Sequence, residues 1–240
     1  MTMQPSLTLY ELAGTDPALR FSPHCWKVRM ALAHKGLAAE GLPWRFTEKE
    51  AIAFSGQGLV PVLVDGGTAI ADSWHIALHL ETRFADRPSL FGAPEAVPLA
   101  RFVNGWADTV LMLAIARLIL TDIAGLLGPT DEAYFRQTRE RRFGAALETV
   151  VADRPTHLKA LSDTLAPLRT LLRSQDFIAG DAPAYADYCV FGMFMWARCA
   201  SRSDILEGSG EDDPVVAWRE RLLDAFGGLA RRAPALASRA

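Results

Sequence analysis

The chain has 240 residues, half of which are hydrophobic, and its 25 basic and 28 acidic side chains leave a formal charge of −3. These values are typical of a soluble globular protein of one large or two small domains, and the near-neutral charge gives no support for nucleic-acid binding. The longest apolar run, residues 110–120, contains Arg117 and is too short to cross a bilayer, so we expect no association with a membrane.

The cysteines and the first residues of the chain indicate a compartment. Cys25, Cys189 and Cys199 are odd in number and far apart in sequence, which argues against a disulfide framework. Residues 1–9 have neither the basic start nor the long apolar core of a secretory signal. We therefore expect a reducing, cytoplasmic setting.

The first third of the chain alternates segments of strand and helix character. Apolar and polar residues predict strands over residues 6–11, 42–47 and 59–65, and a Gly66-Gly67 turn leads to a fourth strand over residues 68–71. One helix is predicted from about Trp26 to Gly36, and another from Ser73 to about residue 85. The order strand, helix, strand predicts a parallel pair, and the glycine turn adds antiparallel strands.

The remainder of the chain has helical character only. A turn-rich linker over residues 87–94 precedes predicted helices over residues 95–120, 130–152, 156–174, 185–203 and 213–226. The sequence therefore predicts a small α/β domain over residues 1–86 and an all-helical domain over residues 94–240. An arginine-rich stretch interleaves with acidic residues at helical spacing and predicts a solvated helix face: Glu132, Arg136, Arg139, Glu140, Arg141 and Arg142.

The most informative segment is FSPHCW, residues 21–26. It places a hydroxyl, an imidazole and a thiol at the start of a helix, where backbone N–H groups and the helix dipole stabilise an anion. The spacing of Ser22 and Cys25 is that of a redox Cys-x-x-Cys pair whose first cysteine is replaced by serine. The pattern is suited to holding a thiolate rather than to forming a disulfide.

Two further segments would complete such a site. Pro61 falls inside a predicted strand, where it is either an ordinary edge-strand proline or follows a cis Val60–Pro61 bond. Asp72 and Ser73 stand where a strand ends and a helix begins, so they form a helix N-cap. The same place would bind an α-amino acid, because free N–H groups and the Ser73 hydroxyl would take its carboxylate and Asp72 its ammonium group.

These segments together resemble the glutathione transferase family, which has an N-terminal thioredoxin-like α/β domain and an all-helical C-terminal domain. The resemblance extends over nearly the whole chain and is carried by Ser22-Pro23-x-x-Trp26, Val60-Pro61, Asp72-Ser73 and Gly180-Asp181-x-Pro183-x-Tyr185-Ala186-Asp187. Residues 21–37 are similar, more narrowly, to the bacterial lignin β-aryl etherases and their fungal etherase-related relatives.

The resemblance implies a role for each matching residue. Ser22 would be the catalytic hydroxyl that donates a hydrogen bond to the thiolate of glutathione, the co-substrate. Val60 would offer its backbone to the cysteinyl part, with Pro61 as the cis-proline. Asp72 and Ser73 would bind the γ-glutamyl end.

The rest of glutathione and the second substrate have weaker matches. Gln57 and Lys49 would meet the glycyl carboxylate or backbone near it. The partner substrate would be an apolar aromatic electrophile, in a pocket lined by Trp106, Met112, Tyr185 and Tyr188. The resemblance further implies a homodimer and a part in detoxification. We expect no metal, because the sequence has no paired Cys-x-x-Cys motif.

Several alternatives stay open. Tyr10, in the first predicted strand, could contact the thiol in place of Ser22, and His24 could act as a base or proton donor. The reaction could be cleavage of a β-aryl ether in a lignin-derived compound. The chain could instead bind glutathione and aromatic ligands with little turnover, or act as a glutaredoxin-like thiol oxidoreductase through Cys25.

Overall fold

A computed structural model describes residues 7–210 and 212–237 of the chain. Its amino-terminal part is a sheet with helices, in the order β1 (Leu7–Leu12), α1 (Pro23–His34), β2 (Glu40–Trp44), a short 3-10 helix (Lys49–Ser55), β3 (Val62–Asp65), β4 (Thr68–Ala71) and α2 (Ser73–Arg83). The first strand was expected to begin at Ser6, which lies outside the described residues.

The sheet has the strand order β2-β1-β3-β4. β1 pairs in parallel with β2, with Leu9 opposite Gly41, and α1 is the crossover between them. β3 runs antiparallel to both β1 and β4, and the Gly66-Gly67 turn joins β3 to β4. The parallel pair and the hairpin expected from the sequence are both confirmed, and the arrangement is thioredoxin-like.

The carboxyl-terminal part is helical. Its elements are α3 (Ala96–Trp106), a π-helical turn (Ala107–Leu111), α4 (Met112–Ala124), α5 (Pro129–Phe143), α6 (Leu147–Val150), α7 (Arg154–Thr164), α8 (Ala166–Leu172), α9 (Tyr185–Ala200) and α10 (Pro214–Arg232). Left-handed backbone at Phe226, Gly227 and Gly228 interrupts α10 close to its predicted end. Within the described ranges, no helix is both long and apolar enough to cross a membrane.

Helix α9 joins the two parts of the molecule. It is buried on almost every side and packs against α1, α3, α4 and α10. The approach to α1 is close, because a Cβ at Gly192 would lie only 2.4 Å from the Pro23 carbonyl oxygen. At the start of α9 the buried Asp187 carboxylate accepts hydrogen bonds from the backbone N–H groups of Ile178, Ala179 and Ala184 and from the indole of Trp218. Because α9 lies so close to Pro23, the helical part of the molecule fixes the position of the start of α1.

Candidate functional site

A cavity of about 300 Å³ lies between the sheet domain and the helical domain. The sheet domain contributes Ser22, His24 and Val60 to its wall, together with aromatic side chains. Helices α4, α5 and α9 form the other side, with Met112, Leu120, Arg139, Arg142 and Trp196 among the lining residues. The cavity is thus mostly apolar, with a hydroxyl on one side and two guanidinium groups on the other.

Ser22 is the N-cap residue of α1. Its backbone is extended, Pro23 occupies the first helical position, and the Ser22 Oγ accepts a hydrogen bond of 3.3 Å from the Cys25 backbone N–H. The side chain is only 4% exposed and lines the cavity. Since the helix uses the oxygen of Ser22 as an acceptor, its O–H remains available to donate to an anion in the cavity.

Two more of the expected glutathione residues lie next to the ends of strands. The Val60–Pro61 peptide bond is cis, and Val60 lines the cavity beside the start of β3. Asp72 is the N-cap of α2, where its Oδ1 accepts hydrogen bonds from Trp74 N–H (3.0 Å) and His75 N–H (3.2 Å). Its backbone φ of 74° is a conformation that aspartate tolerates better than most residues. Its second carboxylate oxygen makes neither of these contacts.

Ser73 connects this region to the helical domain. The residue is buried, and its carbonyl oxygen accepts a hydrogen bond of 2.7 Å from the Tyr185 hydroxyl. The hydroxyl group of Tyr185 is thereby engaged at the start of α2 rather than in the cavity.

Gln57 and Lys49 both bind the segment that leads to Val60. The Gln57 side-chain amide donates to the Leu59 carbonyl at 2.8 Å, and the Lys49 ammonium donates to the Gly58 carbonyl at 2.5 Å. Neither residue is part of the cavity wall. In this state they hold the backbone before Val60, and their contact with the glycyl carboxylate of glutathione stays a prediction.

The expected aromatic pocket differs from the cavity that is present. Met112 lines it, but Trp106, Tyr185 and Tyr188 do not. Tyr185 and Tyr188 are fully buried, and the Tyr188 hydroxyl lies 2.6 Å from the His34 Nδ1. Trp106 packs against the core at the end of α3, ahead of the π-helical turn. Because apolar residues occupy almost every side of α9, its sequence does not show which face borders the cavity.

The alternative residues Tyr10 and Cys25 are placed differently from Ser22. The Tyr10 ring packs against that of Phe54, with 5.5 Å between centroids, and is not part of the cavity wall. The Cys25 thiol is fully buried, and burial, with a further contribution from Glu11, raises its pKa to about 12. A thiol in that environment does not supply a thiolate near neutral pH.

His24 lines the cavity next to a buried polar cluster. Its Nδ1 lies 3.6 Å from the Asp108 Oδ1 in the π-helical turn, and that oxygen accepts from the fully buried Lys27 ammonium at 2.5 Å. Asn104 donates to the other Asp108 oxygen and accepts from Lys27. Burial, with Lys27 next, lowers the pKa of His24 to about 4, so the imidazole is neutral at neutral pH. In the part of the chain that the structure describes, no group of three or more His, Cys, Asp or Glu side chains is arranged to hold a metal ion.

The two arginines on the cavity wall were not expected. The solvated face predicted for this stretch is present in part, since Arg136 pairs with Glu132, Glu140 and Glu148 and Arg141 is exposed. Arg139 and Arg142 instead line the cavity. The sequence held a signal: the residues three and four positions before and after these two arginines include no acidic side chain.

Two family models match the chain. One, described as the N-terminal domain of glutathione S-transferase, matches residues 17–88, and the other, described as the C-terminal domain of glutathione S-transferase, matches residues 98–222. The first covers the segments that contain Ser22, Val60 and Asp72. The second covers the helices that form the far wall of the cavity.

Solved structures with the same fold include several fungal glutathione transferases. A glutathione S-transferase of Ceriporiopsis subvermispora in complex with glutathione has a TM-score of 0.78 at 22% identity, covering 92% of this chain and 96% of that one. A second such complex from this fungus has a TM-score of 0.76 at 23% identity, covering 93% and 99%. Glutathione transferase GSTFuA3 from Phanerochaete chrysosporium gives 0.73 at 23% identity, covering 93% and 92%.

Proposed function

The chain belongs to the glutathione S-transferase family, and on that basis we propose that it activates glutathione as a thiolate and directs the sulfur onto an electrophilic carbon of an apolar aromatic compound. The observation that carries the proposal is the Ser22 hydroxyl, which caps α1 on the wall of a mostly apolar cavity. Ser22 acts as a hydrogen-bond donor to the thiolate and not as a covalent nucleophile.

The energy that this requires is modest. A free thiol has a pKa near 8.5, and lowering it to about 6.5 takes roughly 2.7 kcal/mol of preference for the thiolate. A hydrogen bond to a charged group contributes about 1.5–3 kcal/mol, and a helix N-terminus adds about 0.3–1 kcal/mol. The Ser22 hydroxyl and the start of α1 together are therefore sufficient, without a metal or a general base.

The remainder of glutathione extends from this point along the sheet domain. The backbone of Val60 pairs with the cysteinyl part, and Asp72 and Ser73 hold the γ-glutamyl end. The Asp72 carboxylate oxygen that accepts neither helix-cap hydrogen bond supports this assignment, because it can accept from an ammonium group. Gln57 and Lys49 serve the glycyl end. The fungal transferases of the same fold that contain glutathione also support it as the thiol substrate.

The sharper form of the proposal is the cleavage of a β-aryl ether. The glutathione sulfur would form a bond to the β-carbon as the carbon–oxygen bond breaks. The aryl oxygen would leave with the bonding electron pair as a phenolate and take a proton from water. The similarity of residues 21–37 to the etherases supports this substrate class. Incubation of the enzyme with glutathione and a model β-aryl ether tests it, and release of no phenol would exclude the etherase reaction.

The experiment that tests the proposed function removes the hydroxyl of Ser22. We expect Ser22→Ala to lower kcat/KM by about tenfold or more and to return the pKa of bound glutathione towards 8.5, since a charge-assisted hydrogen bond is lost. The pKa is measured from the thiolate absorbance of the enzyme–glutathione complex as the pH is raised.

Tyr10→Phe is the matched control, because it removes the other hydroxyl that was considered for the thiol. It is expected to keep the wild-type pKa of bound glutathione. Unchanged conjugation and an unshifted thiol pKa in Ser22→Ala would remove Ser22 from the mechanism. Loss of activity in Cys25→Ala, with Ser22→Ala unaffected, would favour the oxidoreductase alternative instead.

The assembly that we propose is a homodimer acting in the cytoplasm. An exposed apolar face supports the dimer, because Leu99 and Phe102 on α3 are 70% and 74% exposed and Val110 follows in the π-helical turn. A face of this kind is typical of a protein–protein contact. Light scattering after gel filtration measures the mass in solution, and a monomer at micromolar concentration would contradict the dimer.

A further inference from the structure

We propose that the aromatic electrophile carries a carboxylate, which Arg139 and Arg142 on α5 bind at the far wall of the cavity. The inference rests on the proposed function and names the chemical class of its second substrate. Ser22 and these arginines line one cavity, so a molecule between them would meet a thiolate at one end and guanidinium groups at the other.

The position of Arg139 is fixed by aromatic rings. Its guanidinium carbon lies 4.8 Å from the centroid of the Phe135 ring and 5.3 Å from that of Phe46. Both phenylalanines also line the cavity. A guanidinium that stacks on rings keeps its N–H groups free at its edges, which suits it to bind a carboxylate with two parallel hydrogen bonds.

No counter-charge within the described ranges neutralises these two arginines. Arg139 donates a hydrogen bond from Nη1 to the Thr138 hydroxyl, and neither arginine forms an ion pair with a described residue. The cavity wall contains no Asp or Glu. Burial lowers the pKa of Arg139, and the nearby positive charge of Arg142 acts in the same direction. Arg139 is half-buried and Arg142 is exposed, so two like charges lie near each other at the cavity wall, and an anionic ligand would relieve their repulsion.

A carboxylate in this cavity has two sources, the electrophile and the glycyl end of glutathione. The geometry favours the electrophile. Arg139 and Arg142 extend from α5 of the helical domain, whereas Gln57 and Lys49, proposed for the glycyl end, hold the backbone that precedes Val60 in the sheet domain. The apolar part of the cavity wall, which includes Met112 and Leu120, fits an aromatic ring rather than a peptide.

The test compares a carboxylate with its neutral ester. The probes are 4-chloro-3,5-dinitrobenzoate and its methyl ester, each with glutathione. In both reactions the sulfur bonds to the ring carbon that carries chlorine, chloride leaves with its bonding electrons, and the thiol proton passes to water. Steady-state kinetics are measured for wild type, Arg139→Gln and Arg142→Gln. Arg141→Gln is the matched control, because Arg141 is exposed on the same helix and does not line the cavity.

We expect each of the two cavity variants to lose about tenfold more kcat/KM for the acid than for the ester, since a charge-assisted pair is lost only with the acid. The KM for glutathione stays at its wild-type value, and Arg141→Gln matches wild type with both probes. An equal loss for acid and ester would overturn the proposal. A rise in the KM for glutathione, seen with the ester as well, would assign the arginines to the glycyl carboxylate and overturn it too.

A binding measurement separates this inference from the proposed function. Unreactive 3,5-dinitrobenzoate and its methyl ester are titrated against the fluorescence of the tryptophans, of which Trp44 and Trp196 line the cavity. One outcome is that wild type turns over neither chlorinated probe and yet binds the acid about tenfold more tightly than Arg139→Gln does. That result would support the anion site and contradict the proposed transferase reaction. If the ester is conjugated but the acid binds equally to both proteins, the anion site fails and the transferase stands.

Discussion

The Ser22 hydroxyl group has a structural task, and in the proposed mechanism it has a chemical task as well. Its oxygen caps α1, and replacement of a serine cap by alanine costs about 0.5–2 kcal/mol of stability. Ser22→Ala therefore weakens the helix start and removes the donor together. Ser22→Thr is the companion variant, because threonine both caps a helix and carries a hydroxyl. A fold as stable as wild type with an intermediate thiol pKa would separate the two tasks.

His24 predicts how stability depends on pH. Its pKa falls from 6.5 in the unfolded chain to about 4 in the folded protein, so the unfolded state binds the proton more readily. The stability that His24 provides is complete above pH 6.5 and is lost as the pH falls towards 4. We expect the melting temperature of wild type to drop more steeply over that interval than that of His24→Gln. If the melting temperatures of the two proteins fell equally over this pH interval, His24 would not titrate in this way.

At the scale of elements, the contact between α9 and α1 is the one most sensitive to a single methyl group. A Cβ at Gly192 would lie 2.4 Å from the Pro23 carbonyl oxygen and 3.2 Å from the Lys27 Cγ. We expect Gly192→Ala to destabilise the protein by about 1–3 kcal/mol, because overpacking forces the helices apart. Activity falls as well, since Pro23 follows Ser22. Urea denaturation and the initial conjugation rate measure the two effects.

Gly105→Ala is the control for that substitution. Gly105 is also inside a helix, but a Cβ there would meet nothing within 4 Å. Alanine is expected to stabilise α3 by about 0.5–1 kcal/mol, because glycine loses more backbone entropy on folding. Equal effects at Gly105 and Gly192 would mean that the close approach of α9 to α1 does not limit stability.

Each element that the sequence did not predict, or predicted with different bounds, has a physical cause. The 3-10 helix Lys49–Ser55 has seven residues, too few for a hydrophobic period to emerge. The π-helical turn Ala107–Leu111 adds a residue to one turn inside a longer helical pattern, which periodicity does not register. Pro61 delays β3 until Val62, and α10 resumes after Gly227 and Gly228, where paired glycines indicated its end.

Some residues of the candidate site could be predicted from the sequence and others could not. Ser22, Val60 and Asp72 were predictable because a cap, a proline in a strand and a strand–helix junction are local features of the sequence. Cavity walls depend on how helices pack, which local patterns do not specify. Tyr185 and Tyr188, which were expected to line the substrate pocket, are buried and do not line this cavity. Conversely, the sequence around Arg139 does contain a local signal, since no acidic residue lies three or four positions away from it.

At the scale of the whole molecule, a few buried polar contacts join the two domains. The Tyr185 hydroxyl donates to the Ser73 carbonyl, and its backbone N–H donates to the Leu90 carbonyl, each at 2.7 Å. The Tyr185 ring also packs on those of Trp74 and Phe91. The start of α2 is thus held from the helical side.

Tyr185→Phe isolates the hydroxyl in this contact. We expect it to lower the free energy of unfolding by about 1–3 kcal/mol, because the buried Ser73 carbonyl loses its donor. Circular dichroism and tryptophan fluorescence should both record the shift. Tyr134→Phe is the control, since that hydroxyl donates no hydrogen bond to a described residue. A shift no larger than that of Tyr134→Phe would contradict the role of the interdomain bond.

The division of the cavity wall between two domains has a consequence for protein engineering. The residues proposed to handle sulfur come from the sheet domain, whereas Met112, Leu120, Arg139 and Trp196 come from helices of the other domain. Combinatorial libraries restricted to such helical positions would search for new acceptors while the nucleophile stays constant. Selection on an unfamiliar aryl compound could then proceed without repeatedly discarding clones that had lost the thiol chemistry.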